Sequence, residues 1–459
     1  MITIRNKAQL VAHGATLYDR KARKLALESL ESALKAADPK EIVNSMVTLK
    51  RSILTANGYS FDLDRFKKVY VVGGGKASGL MSEALEQLLG KKITSGEVNV
   101  PSGSKAKTEI IKLNEASHPV PDEAGAKGAK AMCELAEQAS TEKALVICLI
   151  SGGGSSLMPL PRDGITIIDK REVTDALLKS GATINEINTV RKHLSEFKGG
   201  WLAKKAYPAT VLNLILSDVV GDPLDFIASG PTVPDSTTFG DATRILKKYD
   251  LWDRVPVSVR KVLWDGGKGL IPETPKIGDK AFKAVYNAVV GNNRFASMAS
   301  CSFLKRSGLN ALLLTATMEG EARHVGTFLG SIASEVVVSG NPVTKPAGVV
   351  AGGETTVVVR GNGSGGRNQE IPLAASLKIG KLNGVVVASL STDGVDGPTD
   401  AAGAIVDGKT LDKGLKCGVA PEVFLLDNDS YHFFSKLDDL IFTGPTGTNV
   451  NDVSVVVVV

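Results

Sequence analysis

Apolar and polar positions change period along this chain, and the change divides it. From residue 18 to 37 the pattern is helical. In YDRKARKLALESLESALKAAD, Leu25, Leu27, Leu30 and Leu34 recur at about one helical turn with charges between them. Asp38-Pro39 predicts the start of a second helix running through Ile42, Met46 and Leu49, so that residues 18–55 read as helical.

Beyond residue 56 short continuous apolar runs alternate with helical segments. KKVYVVGGG reads as a buried strand and turn, KASGLMSEALEQLLG as a helix, GEVNV as a strand, DEAGAKGAKAMCELAEQA as a helix, and KALVICLI and ATVLNLILSD as further strands. Apolar on both faces and separated by helices, such strands predict a parallel sheet covered on both sides. GDATRILKKYD and VPVSVRKVLWDG read as helices, and GGKGLIPETPKIGD as a loop or linker. A second α/β series follows: AVYNAVVG, a helix near 292–306, ALLLTAT, a helix through GTFLGSIASEVVVS, and PAGVVAGGETTVVVRG as strand, glycine turn and second strand. RNQEIPLAASLK reads as a helix, GVVVASLSTDG as a strand, and the VSVVVVV tail as a buried final strand. The expected division is 1–280, a helical segment plus a doubly wound Rossmann-like domain, and 281–459, a smaller α/β domain. A length of 459 residues also calls for two cores.

Composition narrows the functional classes. Hydrophobic residues make up 43% and charged residues 22%, as in ordinary globular proteins. A net charge of +5 with 5% aromatics suits a small anionic substrate and gives no basic, aromatic-interleaved stripe for nucleic acid. The four cysteines show no CxxC spacing, and no apolar run reaches membrane-spanning length. A reduced, cytoplasmic protein is expected.

The 48 glycines cluster beside apolar runs. In VYVVGGGKASG, residues 69–79, Gly73 and Gly75 match the first two positions of a dinucleotide fingerprint, but Ser78 takes the third and no acid follows the next strand. It is not a Walker A loop either. What remains is a turn, including Gly74 and Gly75, whose N–H groups can face an anion beside the Lys76 charge; a surface lysine on a tight bend is the plainer reading. In SGGGSSL, Ser151, Gly152, Gly153, Gly154, Ser155 and Ser156 form either a phosphate cradle or an N-capped turn.

Acids follow other strands. Asp218 stands at a strand's carboxyl end, where it can hold magnesium or accept a hydroxyl proton, whereas Asp222 and Asp225 suit turn and cap roles. Arg367 in VRGNGSGGRNQE suits phosphate or carboxylate, or else solvent on a flexible loop. Asp393, Asp396 and Asp400 in STDGVDGPTDAAGA make a metal or catalytic loop, or ordinary turns. His118 and His193 read as structural hydrogen-bonders, and no GxSxG elbow supports a serine hydrolase.

GGGKAS, SHPVPDE, SGGGSSL, NTVRKHLSEFKGG, ILSDVVGDPLDFIASGPT, AGGETTV, GNGSGGRNQE, STDGVDGPTDAAGA and GPTGTNVND, in this order from about residue 20 to the C-terminus, closely resemble the class II glycerate kinases. The resemblance implies a Rossmann-like N-terminal domain, a smaller C-terminal α/β domain and an active site in the cleft between them. It implies transfer of the γ-phosphoryl of ATP to D-glycerate with Mg²⁺ or another divalent cation, giving 2-phosphoglycerate. It carries catalytic roles to Lys76, Asp218, Arg367 and Asp393, with Asp218, Asp393 or both on the metal, and gives the 151–156 turn to ATP phosphates. The implied partners are D-glycerate and ATP, with a homodimer the assembly considered and no nucleic acid or membrane. Two other classes stand beside this one: an NAD(P)-dependent hydroxypyruvate reductase, and a non-catalytic sensor of an anionic metabolite.

Overall fold

The computed structural model describes residues 2–459. The chain packs as two compact units, Ile42–Val290 and the combination of residues 2–41 with Gly291–Val459.

The central unit, Ile42–Val290, opens with a small antiparallel sheet of β1 (Val47–Lys50), β2 (Ile53–Ala56) and β3 (Tyr59–Asp62). The helix expected through Leu49 therefore stops at Met46. The next residues, Val47 and Thr48, are β-branched, and Val47–Lys50 pairs with Ile53–Ala56. The main sheet uses β4 (Lys68–Gly74), β5 (Ser95–Pro101), β6 (Ile111–Ala116), β7 (Ala144–Ile150), β8 (Thr210–Leu216) and β9 (Val285–Gly291), in the order β6-β5-β4-β7-β8-β9. The pairs from β6 through β8 are parallel. Every residue of β7 is buried, as its unbroken apolar run requires. A separate helical core gathers Val173, Leu177, Ile187, Val190, Phe239, Leu246 and Leu263. Three of its helices, Ile167–Lys179, Ile184–His193 and Phe239–Lys248, start at capping boxes of Thr166 with Asp169, Thr183 with Glu186, and Thr238 with Asp241.

The other unit has a mixed six-stranded sheet of β10 (Asn310–Met318), β11 (Ala347–Gly353), β12 (Val385–Ser391), β13 (Gly403–Asp407), β14 (Leu440–Ile441) and β15 (Asp452–Val458), ordered β10-β11-β15-β12-β13-β14. The valine-rich tail is β15. It lies between β11 and β12, antiparallel to both, with all seven residues buried. Its β-branched side chains suit a strand with no solvent face.

Two sequence expectations differ from this packing. The boundary is not at 280. Val285–Gly291, read as the opening of the second series, is the edge strand beside β8, and the Leu17–Ala37 helix packs with the second sheet through a buried guanidinium. Arg23 binds Asp407 Oδ2 from Nε at 2.7 Å and Asp439 Oδ1 and Oδ2 from Nη1 and Nη2 at 2.7 and 3.0 Å. Residues 357–360 form no strand either. Val358 N–H donates to the Glu321 carboxylate and Arg360 N–H to Asn428 Oδ1, so their amides are spent on side chains.

Candidate active site

In the central unit, two glycine turns lie against each other at the carboxyl ends of β4 and β7. β4 pairs with β5 on one side and β7 on the other, so this is the point where the strand order reverses, the usual ligand crevice of an open parallel sheet. Contact there is backbone to backbone. Gly73 and Gly75 have φ of +143° and +150°, and a Cβ on either would lie 2.1 Å from Leu149 O or Ser151 Oγ. Lys76 N–H donates to Gly152 O at 2.8 Å, and Ala77 N–H to Ser151 Oγ at 3.0 Å. The Ser151 and Ser78 hydroxyls meet at 3.0 Å. Ser151 is buried and ties the turns together. Ser78, which replaces the third fingerprint glycine, is also buried and donates to Leu149 O at 3.1 Å.

Three ionisable side chains surround the Gly152–Gly153 backbone. A Cβ on Gly152 would stand 1.9 Å from Asp218 Oδ2. One on Gly153 would stand 2.8 Å from His118 Nε2 and 3.3 Å from Lys76 Cγ. The turn is thus a bare stretch of main chain with Asp218, His118 and Lys76 against it. Burial first, and then the Lys76 charge, hold the His118 imidazole below its ordinary pKa. Gly74 sits beneath, against Met158, and Gly154 against Ala228. Ser155 Oγ meets Ser229 Oγ at 2.8 Å, and Ser156 Oγ donates to Gly153 O at 3.0 Å. Ser155 and Ser156 line a cavity of about 500 Å³.

In the other unit, a second cluster forms at the carboxyl ends of β11 and β12 and the start of β15. The register places Asp452 opposite both Gly353 and Ser391. Arg367, first residue of the Arg367–Ile379 helix, donates to Asp452 Oδ2 and Oδ1 from Nε and Nη2 at 2.6 and 3.2 Å, and to Glu354 Oε1 from Nη1 at 2.8 Å. Burial opposes the guanidinium charge most, but Asp452, Glu354 and Asp396 together outweigh it and raise the Arg367 pKa. Burial pushes Asp452 up to about 6 against the pull of Arg367. Asp393 Oδ1 accepts from Ser391 Oγ at 2.8 Å and Val395 N–H at 3.0 Å.

Asp396 has a different place from Asp393. It is buried under the helix start and accepts from Asn368 N–H at 3.0 Å and Gln369 Nε2 at 3.0 Å, and burial pushes it up to about 7. Asp400, also from that loop, is exposed and accepts from the Tyr431 hydroxyl at 2.7 Å.

The structure therefore brings Lys76 and Asp218 to one turn, and Arg367 and Asp393 to one sheet end. His118, Glu354 and Asp452 were not singled out as site residues. The signal for Asp452 was its position at the head of a final strand, and for His118 a loop after a parallel strand.

The motif order has a counterpart in known proteins. Residues 25–264 match a domain of unknown function, DUF4147, and residues 347–452 match the MOFRL family. A glycerate 2-kinase from Pyrococcus horikoshii is 45% identical over 95% of this chain and 97% of its own length. The chain belongs to the class II glycerate kinase family. A D-glycerate 2-kinase from Thermotoga maritima is 42% identical over 95% of this chain and 98% of its own. A crystal structure of glycerate kinase from the same organism superposes with a TM-score of 0.85 at 41% identity, covering 95% of this chain and 99% of that one. Within this family of kinases, ATP is the co-substrate. Both clusters lie in or at the edges of the matched segments: Lys76, His118 and Asp218 fall in the first, and Glu354, Arg367, Asp393 and Asp452 in the second.

Proposed function

We propose that the protein is a cytoplasmic glycerate 2-kinase that transfers the γ-phosphoryl group of ATP to the C2 hydroxyl of D-glycerate. The observation that carries this reading is the Gly152–Gly153 turn, a bare backbone flanked by a cation and a carboxylate, in a chain similar over nearly its full length to a glycerate 2-kinase. Phosphoryl transfer asks a protein mainly for positioning and for charge on the transferred group.

In this proposal the hydroxyl oxygen forms the new O–P bond as the bond from the γ-phosphorus to the β-bridging oxygen breaks and ADP leaves. Lys76 and Arg367 balance the negative charge of the phosphoryl oxygens and the substrate carboxylate. Arg367 uses three N–H groups on Asp452 and Glu354, which fixes its plane. Two N–H groups of the fork are left for an anion. One of Asp218 and Asp393 orients the hydroxyl and takes its proton. His118, held toward its neutral form by burial and Lys76, keeps a second positive charge from competing there.

A magnesium ion fits the donor set in a limited way. Among the described residues no group of three or more His, Cys, Asp or Glu side chains is arranged for a metal. Magnesium in kinases is ordinarily held by one or two carboxylates plus substrate phosphates. Asp393, with Oδ1 fixed by Ser391 and Val395, suits that use, as does Asp218 at its strand end. The chemistry such an ion supplies is neutralisation of charge on the phosphate oxygens.

The reductase alternative would need a fingerprint glycine where buried Ser78 stands, and the sensor alternative would not need an acid beside each cation. ADP formation that depends on D-glycerate supports the proposal. ATP turnover indifferent to D-glycerate overturns it.

A further inference from the structure

The roughly 500 Å³ cavity beside Ser155 and Ser156 contains charges that the scheme above leaves idle. Lys170, Arg191 and Lys198 line it, contributed by the Ile167–Lys179 helix, the Ile184–His193 helix and the segment that follows. Lys198 is 1% exposed and its Nζ has no hydrogen-bond partner; Lys170 is 6% exposed and its Nζ reaches only Leu160 O, at 3.4 Å. Among the described residues none of the three is ion-paired with a carboxylate. Glu172 and Asp175 also line the cavity, but both are exposed, and Asp175 is paired with Lys179 at 2.6 Å. Burial lowers the pKa of all three cations, and Lys170 and Arg191 lower that of Lys198 further.

Buried cations without counter-charge are costly, and folds keep them where a ligand supplies the charge. Two buried lysines beside the half-buried Arg191 call for a polyanion. The remaining wall is apolar, with Pro119, Val120 and Pro121 on one loop and Pro159 and Leu178 elsewhere. Val120 and Leu178 are more than half exposed, as surfaces that cover a flat apolar group would be. A ligand with several negative charges at one end and an apolar plane at the other matches a nucleoside triphosphate. Its charged end would lie toward Ser155 and Ser156, which belong to the turn against which Lys76 and Asp218 lie.

We propose that this cavity is the nucleotide seat: Lys170, Arg191 and Lys198 hold the polyphosphate chain, the base lies against Pro119–Pro121 and Leu178, and the terminal phosphoryl reaches the 151–156 turn. The identity of the nucleotide as phosphoryl donor rests on the kinase reading; the cation-lined seat does not.

The test uses the full chain and two probes, the non-transferable ATP analogue AMP-PNP and inorganic tripolyphosphate, in calorimetric titrations. Lys198→Met and Arg191→Met are expected to weaken both by on the order of tenfold to a hundredfold each, the range for a lost charge-assisted hydrogen bond. KM for ATP should rise by a similar factor while KM for D-glycerate moves less than about twofold. Lys198→Met should also raise the ligand-free melting temperature, because it removes a buried amino group that has no hydrogen-bond partner; that readout is independent of turnover. Lys170, held down to about 7 by burial and by Arg191, should take up a proton when the polyanion binds above neutral pH. The groups facing it are Arg171, Glu172 and Asp175 on its own helix, Arg191 on the next and Lys198. The measured binding enthalpy should then depend on buffer ionisation, and Lys170→Met should reduce that dependence, the remainder coming from Lys198, whose pKa burial also lowers.

Unchanged AMP-PNP affinity in both methionine variants overturns the seat even where the enzyme makes phosphoglycerate. A loss confined to D-glycerate also overturns it and gives the cavity to the acceptor. Lysine-dependent AMP-PNP binding in a protein that makes no phosphoglycerate upholds the seat and removes the kinase reading.

Discussion

Arg367 grips Asp452 with two parallel hydrogen bonds, Nε to Oδ2 at 2.6 Å and Nη2 to Oδ1 at 3.2 Å. The pair joins the start of a helix to the start of the final strand. It aims a guanidinium at the sheet end where Asp393 stands. Arg367→Lys keeps the charge but loses the fork. Turnover is expected to fall on the order of 10²–10³, the usual cost of one misplaced charge at a reacting centre. Circular dichroism and melting should stay near those of the parent, and near-normal turnover would remove Arg367 from the site.

Gly152 leaves no room for a side chain, since a Cβ would sit 1.9 Å from Asp218 Oδ2. Gly152→Ala must therefore push Asp218 away from the turn. The expected result is a loss of kcat/KM comparable to that of Asp218→Asn. The double variant should be little worse than either, because both changes act on the same carboxylate. Steady-state kinetics of the three variants check this, and fully additive losses would contradict it.

Asp396 makes the stability of its unit sensitive to pH. In the unfolded chain an aspartate loses its proton near its ordinary pKa of 3.8, but burial holds the proton on Asp396 up to about 7. Between those values the folded state binds the proton and the unfolded state does not. Raising the pH through this window therefore favours unfolding. Asp396→Asn should remove that contribution, so the melting temperature of the parent should fall relative to the variant from about pH 4 to about pH 7. Parallel curves would contradict it.

Arg23 tests the division of the chain. Its guanidinium is fully buried against Asp407 and Asp439. Arg23→Met leaves Asp407 without its cation and Asp439 with only His13, at 3.2 Å, and should cost about 3–5 kcal/mol in chemical denaturation. Hydrogen exchange should show the loss in the β12–β15 sheet, with β4–β8 unaffected.

Much of this was legible in the sequence because continuous apolar runs leave a strand few alternatives. The VSVVVVV tail, with no polar face, had to be buried on both sides, and it lies in mid-sheet. The two glycine turns were legible because their backbones approach each other too closely for side chains. The division at 280 was not, because nothing local in AVYNAVVG says which sheet it joins, and Arg23 looks like any charge on an amphipathic helix. Ser151 looked like a ligand hydroxyl but holds Ala77 and Ser78. Lys170, Arg191 and Lys198 were invisible for the same reason as Arg23: only tertiary packing buries them.

The most direct measurement is ³¹P NMR of the purified protein incubated with ATP, Mg²⁺ and D-glycerate. The γ-phosphate signal should be replaced by those of ADP and 2-phosphoglycerate. A 3-phosphoglycerate product would contradict the choice of hydroxyl, and the absence of any phosphoglycerate would contradict the kinase itself.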